Sequence, residues 1–364
     1  MMKVAYFLGA LNRGGAETLM LDICHAHEKM PYDFLCVYRH EGNISGDFKQ
    51  SGAPLVKIAK KRGLLRYLFA IRRTLQQEKV NIVHSQTPSN TLLLGFALLG
   101  TGIKIVTTFH GHLFADASWW QRKFVYRRSE KILCVSEYQK RYYEEKWRLP
   151  KENTLQVVYN GIDFTKLDKA VESGKWKAES ERVKLAMVGN FVKGRSQMVV
   201  AQALAKVESG KWKDKSDFYF IGRKDDKEPE RYDECVKYCK EKGLQNVHFL
   251  GSRNDVPSIL KSLDGFVYST EHDTFGIAVI EAIAAGLPVV VNDWPVMPEV
   301  CGEENAGIRY FRTDDVGDAA AKIDALLSDI NESKKIAREN ARIVRSRFSI
   351  EQHISNLEKI YKSL

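Results

Sequence analysis

An α/β protein of two domains, each a parallel sheet wrapped by helices, is the fold class predicted by this 364-residue sequence. Three observations predict it. Short β-rich runs at residues 3–8, 34–37, 81–84, 104–109 and 131–135 alternate with stretches of helical periodicity. The alternation pauses at Asn160-Gly161-Ile162-Asp163 and a polar stretch to Arg182, then restarts with runs at 183–188, 218–221, 247–250, 265–268 and 288–292. The length, at about 150 residues per domain, gives each half enough chain for its own core. The expected division is 1–165, 166–348, and a closing amphipathic helix at 349–364 with Ile350, Ile354, Leu357 and Ile360 on one stripe.

The first element is a buried strand. Its apolar run, residues 4–11, and the run at 91–103 both fall well short of the ~20 residues that span a bilayer. The first run leads directly into Asn12-Arg13-Gly14-Gly15 without a small-residue cleavage site, so it does not read as a signal sequence. With 44% apolar and 28% charged residues, the composition is that of an ordinary globular chain. Cys24, Cys36, Cys134, Cys235, Cys239 and Cys301 are scattered with no CxxC, which suits reduced thiols in a cytoplasmic protein and gives no metal site. The segment Val-Glu-Ser-Gly-Lys-Trp-Lys occurs at both 171–177 and 207–213, but the flanks do not continue the match, so it reads as two similar turns.

The net charge of +10 lies entirely in the N-terminal half, where residues 1–165 carry 24 Lys/Arg against 14 Asp/Glu. It concentrates in Lys57, Lys60, Lys61, Arg62, Arg66, Arg72 and Arg73, with Leu64, Leu65, Leu68, Phe69 and Ile71 interleaved at helical spacing. A second cluster combines Trp119, Trp120, Phe124 and Tyr126 with Arg122, Lys123, Arg127 and Arg128. Two readings fit, a solvated helix face over a core stripe and a surface that docks on anionic membrane. Nucleic acid, which would use the same charge against phosphates, is not the expected partner.

Three places could carry chemistry. After the first strand, Gly14 and Gly15 open a helix and allow close backbone approach by an anionic ligand, although the full GxGxxG spacing is missing. His110 and, two residues on, His112 follow the run at 104–109, at the carboxyl edge where α/β sheets hold ligands. The most specific run extends from His272 to Pro288. In it Asp273 precedes a helix opened by Gly276, Glu281 lies eight residues after Asp273, and Gly286 and Pro288 end the helix into a buried strand. Amides of Phe275, Gly276 and Ile277 suit a diphosphate, and the carboxylates of Asp273 and Glu281 suit the hydroxyls of two sugars flanking it. As a pair they would grip rather than hydrolyse.

The spacing from Asp273 to Glu281 resembles the E-x7-E signature of family 4 retaining glycosyltransferases, with Asp in place of the first Glu. Other segments fall in the family's order. Gly14-Gly15 resembles its N-terminal glycine loop, Thr108-Phe109-His110-Gly111-His112 its strand-end histidine, and Asn160-Gly161-Ile162-Asp163 its interdomain NGID. Gly189-Asn190-Phe191-Val192-Lys193-Gly194 resembles its phosphate-binding loop, but Asn190 stands where the family often has Arg. Lys193 then takes the usual lysine place, and Arg195 supplies the second cation.

The resemblance implies a GT-B fold of two Rossmann-like domains facing across a cleft, and a closing helix that returns to the N-terminal domain. It also implies a nucleotide-sugar donor on the C-terminal domain, with a UDP-sugar favoured, and a glycan or lipid-linked acceptor on the N-terminal one. His110, Asp273, Lys193 and Arg195 are the expected catalytic group. Gly14, Gly15, Asn190, Arg253, Phe275, Gly276, Ile277 and Glu281 are the expected donor contacts. Retention, independence of metal and cofactor, and a place at the inner membrane face in capsule or lipopolysaccharide synthesis complete the expectation. Two alternatives stay open: another GT-B enzyme, such as a nucleotide-sugar 2-epimerase that consumes donor without acceptor, and a noncatalytic polyanion-binding protein indifferent to Glu281.

Overall fold

The structure is a computed structural model that describes residues 2–12, 14–59, 63–112, 114–148, 155–170, 182–208, 212, 215–303 and 306–364. It forms two compact units, Met1–Asp163 with Phe348–Leu364, and Phe164–Arg347. Arg13 and the basic residues Lys60, Lys61 and Arg62 lie outside the described residues, as do most of the two seven-residue repeats.

The first unit is built on seven strands: β1 Lys3–Ala10, β2 Asp33–His40, β3 Leu55–Lys57, β4 Ile82–Ser85, β5 Lys104–Phe109, β6 Lys131–Cys134 and β7 Leu155–Val157. They pair in the order β3-β2-β1-β4-β5-β6-β7, all parallel, with Tyr6 opposite Cys36 on one side and His84 on the other. Strand geometry divides the residues of β1 between two cores. Val4, Tyr6 and Leu8 pack with residues of the helices Gly15–His25 and Ile350–Lys362, while Ala5 and Phe7 pack with those of Leu64–Gln77 and Pro88–Ala97. Helices on both faces explain why β1 reads as a nearly unbroken apolar run.

The closing helix is anchored in this unit. Ser349 caps it by accepting from the Gln352 amide, and the chain at Ile162 hydrogen-bonds to Phe348 and Ile350. Gly161 makes that contact possible, because a Cβ there would lie 2.7 Å from His353 Cβ and 2.9 Å from Ile350 Cα. At the helix end the Tyr361 hydroxyl meets His84 Nδ1 at 2.6 Å and Tyr6 at 3.0 Å, inside the core.

The second unit holds β8 Val183–Val188, β9 Ser216–Ile221, β10 Val247–Gly251, β11 Gly265–Tyr268, β12 Val289–Asn292 and β13 Ile308–Phe311. Their order is β10-β9-β8-β11-β12-β13, again parallel. Both sheets reverse their direction of growth once, between β1 and β4 and between β8 and β11, which makes them Rossmann-like. In such sheets the crevice beyond the carboxyl ends of the two central strands takes ligands.

Two expectations from the sequence need correction. Strands β3, β7 and β13 have no counterpart among the sequence runs; each is a sheet edge of three or four residues, too short for a periodic signal. In the Leu64–Gln77 helix the buried stripe is Tyr67, Ile71 and Leu75, whereas Leu64, Leu65 and Phe69 are exposed. Tyr67 turns inward because Arg39 Nε donates to its hydroxyl at 2.8 Å.

Candidate active site

In the second unit the loop after β8 and the loop after β11 are laced together at the switch point. The Glu271 amide and the Thr270 hydroxyl both donate to Gly194 O, at 2.9 and 3.0 Å, and Arg195 bridges Thr270 in antiparallel fashion. Ser196 Oγ donates to Glu271 Oε1 at 2.5 Å. Gly194 has φ +83°, and a Cβ there would strike His272 Cβ at 2.3 Å, so the close approach of the loops requires glycine. Asn292, the last residue of β12, holds the second loop by accepting from the Thr270 amide at 3.0 Å and donating to Thr270 O at 2.7 Å.

This lacing brings Arg195 to Asp273. Arg195 Nη2 lies 3.1 Å from Asp273 Oδ1, and the Tyr268 hydroxyl donates to Asp273 Oδ2 at 2.5 Å. Trp294 Nε1 holds the backbone of the same residue by donating to Asp273 O at 3.0 Å. The guanidinium also lies over the Tyr268 ring, 5.0 Å from its centroid. Burial pushes the Asp273 carboxyl above its ordinary range, against the opposing pull of Arg195 and His272. Arg195 Nη1 is buried against Gly189, where a Cβ would come within 3.2 Å of it, and it has no hydrogen-bond acceptor among the described residues. Leaving a charged donor unsatisfied in this way costs free energy that an anion would return.

Directly after this pair comes a helix N-terminus. Gly276 occupies the N-cap in the left-handed region (φ +87°), and the helix runs Ile277–Ala284. Its first amides have no acceptor within the helix and carry the positive end of its dipole. Phe275 is buried in support of the turn, and Glu281, half-buried, lies one helical turn beyond Ile277. Asp273, Arg195, Phe275, Gly276, Ile277 and Glu281 therefore share one loop-and-helix assembly.

Other expected residues are placed differently. Lys193 is exposed on the β8 loop, and its amide donates to Glu228 Oε2 at 2.8 Å. Asn190 Oδ1 accepts from the Arg223 amide at 3.1 Å, so its side chain ties the β8 loop to the β9 loop. Beside it Gly222 approaches so closely that a Cβ would fall 2.0 Å from Gly189 O. Arg253 makes a two-pronged contact with Asp255, at 2.8 and 2.6 Å, and stands beyond β10, which β9 and β8 separate from β11.

In the first unit Gly14 and Gly15 follow β1 and His110 follows β5, at the same carboxyl edge. Gly14 is the extended N-cap of the Gly15–His25 helix, and Glu17 folds back to where its Cβ would be. Gln86, after β4, meets His110 Nε2 through Oε1 at 2.9 Å, while its amide nitrogen donates to His84 O at 3.4 Å. This orientation makes His110 Nε2 the protonated nitrogen. Burial and the nearby His353 hold the His110 pKa down to about 4, so the ring is neutral at pH 7. The Tyr143 hydroxyl and Gln139 fix the turn by donating to Gly111 O, and His112 packs on Tyr142 with centroids 4.2 Å apart. Gln86, Tyr268, Thr270, Gly222 and Trp294 were not legible as site residues. Their one shared signal is position, at or just past the end of a strand.

Comparison with known proteins agrees with this architecture. Residues 13–166 match the model of Glycosyltransferase Family 4, and residues 168–344 match that of Glycosyl transferases group 1. The UDP-Gal:alpha-D-GlcNAc-diphosphoundecaprenol alpha-1,3-galactosyltransferase of Escherichia coli is 25% identical over 244 residues, a stretch covering 63% of this chain and 62% of that enzyme. The O-antigen biosynthesis glycosyltransferase WclY, also of Escherichia coli, is 21% identical across 100% of this chain and 99% of its own. Among solved structures, Anabaena HepE in complex with UDP and glucose superposes with a TM-score of 0.86 over the whole of both chains at 17% identity, a likeness of fold. With two Rossmann-like sheets of GT-B type and family models spanning both units, the chain belongs to the family 4, group 1 glycosyltransferases.

Proposed function

We propose that this protein transfers a sugar from a UDP-sugar to a lipid-linked or glycan acceptor, with retention of anomeric configuration and without a metal, in the synthesis of a cell-surface polysaccharide or lipopolysaccharide. The observation that carries the reading is the half-buried Arg195 guanidinium, with Nη2 on Asp273 and a buried Nη1 without acceptor among the described residues, beside the helix N-terminus that leads to Glu281. The energetic demand of the reaction is negative charge growing on the leaving diphosphate. Arg195, Lys193 and the amides at Gly276 and Ile277 meet it with fixed dipoles and cations, so no metal ion is needed for that role. Glu281 accepts from ribose hydroxyls, and Asp273 orients Arg195 while facing the donor sugar.

His110 stays neutral at pH 7 and is held by Gln86, so it presents the transferred sugar with a hydrogen-bonding imidazole, not a second positive charge. The leaving phosphate takes the acceptor proton on the same face, which gives retention without a glycosyl-enzyme intermediate. The acceptor class rests on relatives named for lipid-diphosphate sugars and O-antigen synthesis.

The test is product analysis. The protein is incubated with UDP-glucose, UDP-galactose or UDP-N-acetylglucosamine and a bacterial lipid extract, with and without EDTA, and the product's anomeric configuration is read by NMR. An EDTA-insensitive α-linked lipid product supports the reading. Sugar release to water, donor epimerisation without acceptor, or an inverted linkage contradicts it.

A further inference from the structure

We propose that the outer face of three adjacent helices in the first unit, Leu64–Gln77, Pro88–Ala97 and Trp119–Arg128, docks on an anionic phospholipid bilayer. Beneath them these helices already bury what the fold needs, since Tyr67, Ile71, Leu75, Leu94, Ala97 and Val125 are all within the core. What they turn outward is also apolar. Leu65 is 81% exposed, Trp119 69% and Phe69 65%, with Phe96 and Trp120 exposed beside them.

The face is continuous from helix to helix. Leu65, Leu68 and Phe69 share a shallow groove with Phe96, whose ring stacks on Phe124 at 4.4 Å, and Lys123 Nζ stands 4.7 Å over the Trp119 ring. Arg72 ties the first helix to the end of the second by donating to Leu99 O at 2.6 Å.

Charge identifies the occupant. None of the three helices contains an acidic residue, yet they carry Arg66, Arg72, Arg73, Arg122, Lys123 and Arg127, and among the described residues none of these six forms an ion pair. The contrast lies in the Ile330–Phe348 helix of the second unit, where exposed Ile336 and Ile343 are interspersed with Glu332 and Glu339. Bulky apolar groups, two of them tryptophans, ringed by unneutralised cations match a headgroup layer, where anionic phosphates meet the cations and the rings enter the acyl boundary. A nucleic-acid backbone would satisfy the cations and leave Leu65 and Phe69 in water.

The inference is independent of the donor reading, since vesicle binding needs no nucleotide. The experiment floats the full chain with vesicles of phosphatidylcholine alone or mixed with phosphatidylglycerol, at low and high salt. Leu65→Ser/Phe69→Ser and Arg66→Glu/Arg73→Glu are compared with the parent after circular dichroism and melting show that each variant is folded. The expected result is flotation with the anionic vesicles only, weakened by salt, and a loss of about tenfold or more in partition for each variant. Failure of the parent to float, flotation unchanged in both variants, or a face that instead shifts a DNA duplex or forms a dimer lost in Leu65→Ser/Phe69→Ser overturns the proposal.

Discussion

Arg195 and Asp273, 78 residues apart in the sequence but joined by the loops after β8 and β11, form an ion pair of 3.1 Å at the switch point of the second sheet. The pair leaves one face of the guanidinium for a second anion. Arg195→Ala is expected to lower kcat/KM by about two to three orders of magnitude, the usual cost of losing one donor to developing charge. Arg195→Lys should restore part of this loss, because charge returns without the forked geometry. Steady-state kinetics on both variants checks the difference.

Tyr268 acts through Asp273. Tyr268→Phe removes the hydroxyl that donates to Oδ2 at 2.5 Å and leaves a mostly buried carboxylate with one fewer donor. The expected cost is about 1–3 kcal/mol in urea unfolding. A double-mutant cycle with Asp273→Asn should show coupling between the two changes, and strict additivity would mean that the contact carries no energy.

Gly222→Ala tests the packing beneath the loop after β8. The new Cβ would fall 2.0 Å from Gly189 O and 2.5 Å from Gly189 C, which are backbone atoms that can yield only by moving the 189–195 loop. A destabilisation of about 1–3 kcal/mol is expected, together with weaker UDP binding than in Gly46→Ala, whose site has open space and, like that of Gly222, no positive φ. Thermal melting with and without UDP separates the two effects.

The pH dependence of stability follows from two buried histidines. His110 and His353 are both held at about 4, below their ordinary 6.5, chiefly by burial, and His84 is lowered for the same reason. The folded state therefore binds fewer protons than the unfolded one between about pH 4 and 6.5. Stability is full above 6.5 and is lost as pH falls toward 4, by roughly 1–2 kcal/mol for each of the two histidines by pH 5. Urea unfolding at pH 7.5 and pH 5 checks this, and Gln replacing His353 should flatten the slope.

Much of the fold was legible because parallel strands buried on both faces leave nearly unbroken apolar runs; β1, β11 and β12 all stand where such runs lie. The edge strands β3, β7 and β13 escaped because three or four residues with one neighbour carry no period. The assembly of residues 273–281 was legible because a helix start has local chemistry: an acid, a glycine and a carboxylate two turns on. Tyr268, Gln86 and Trp294 were not, since each acts through a contact between chain segments that only tertiary structure brings together. Tyr67 shows the same limit in reverse, where a polar-tipped residue took the buried stripe and Phe69 was left outside.

Calorimetric titration of UDP into the parent and into Glu281→Ala tests the central claim most directly, that the second unit holds a nucleotide diphosphate between Arg195 and the Ile277–Ala284 helix. The account predicts saturable binding to the parent, weakened about tenfold to hundredfold in Glu281→Ala, the loss expected for one charge-assisted hydrogen-bond partner, with both proteins melting cooperatively. Equal affinity in the two proteins, or a parent that binds no UDP, would contradict it.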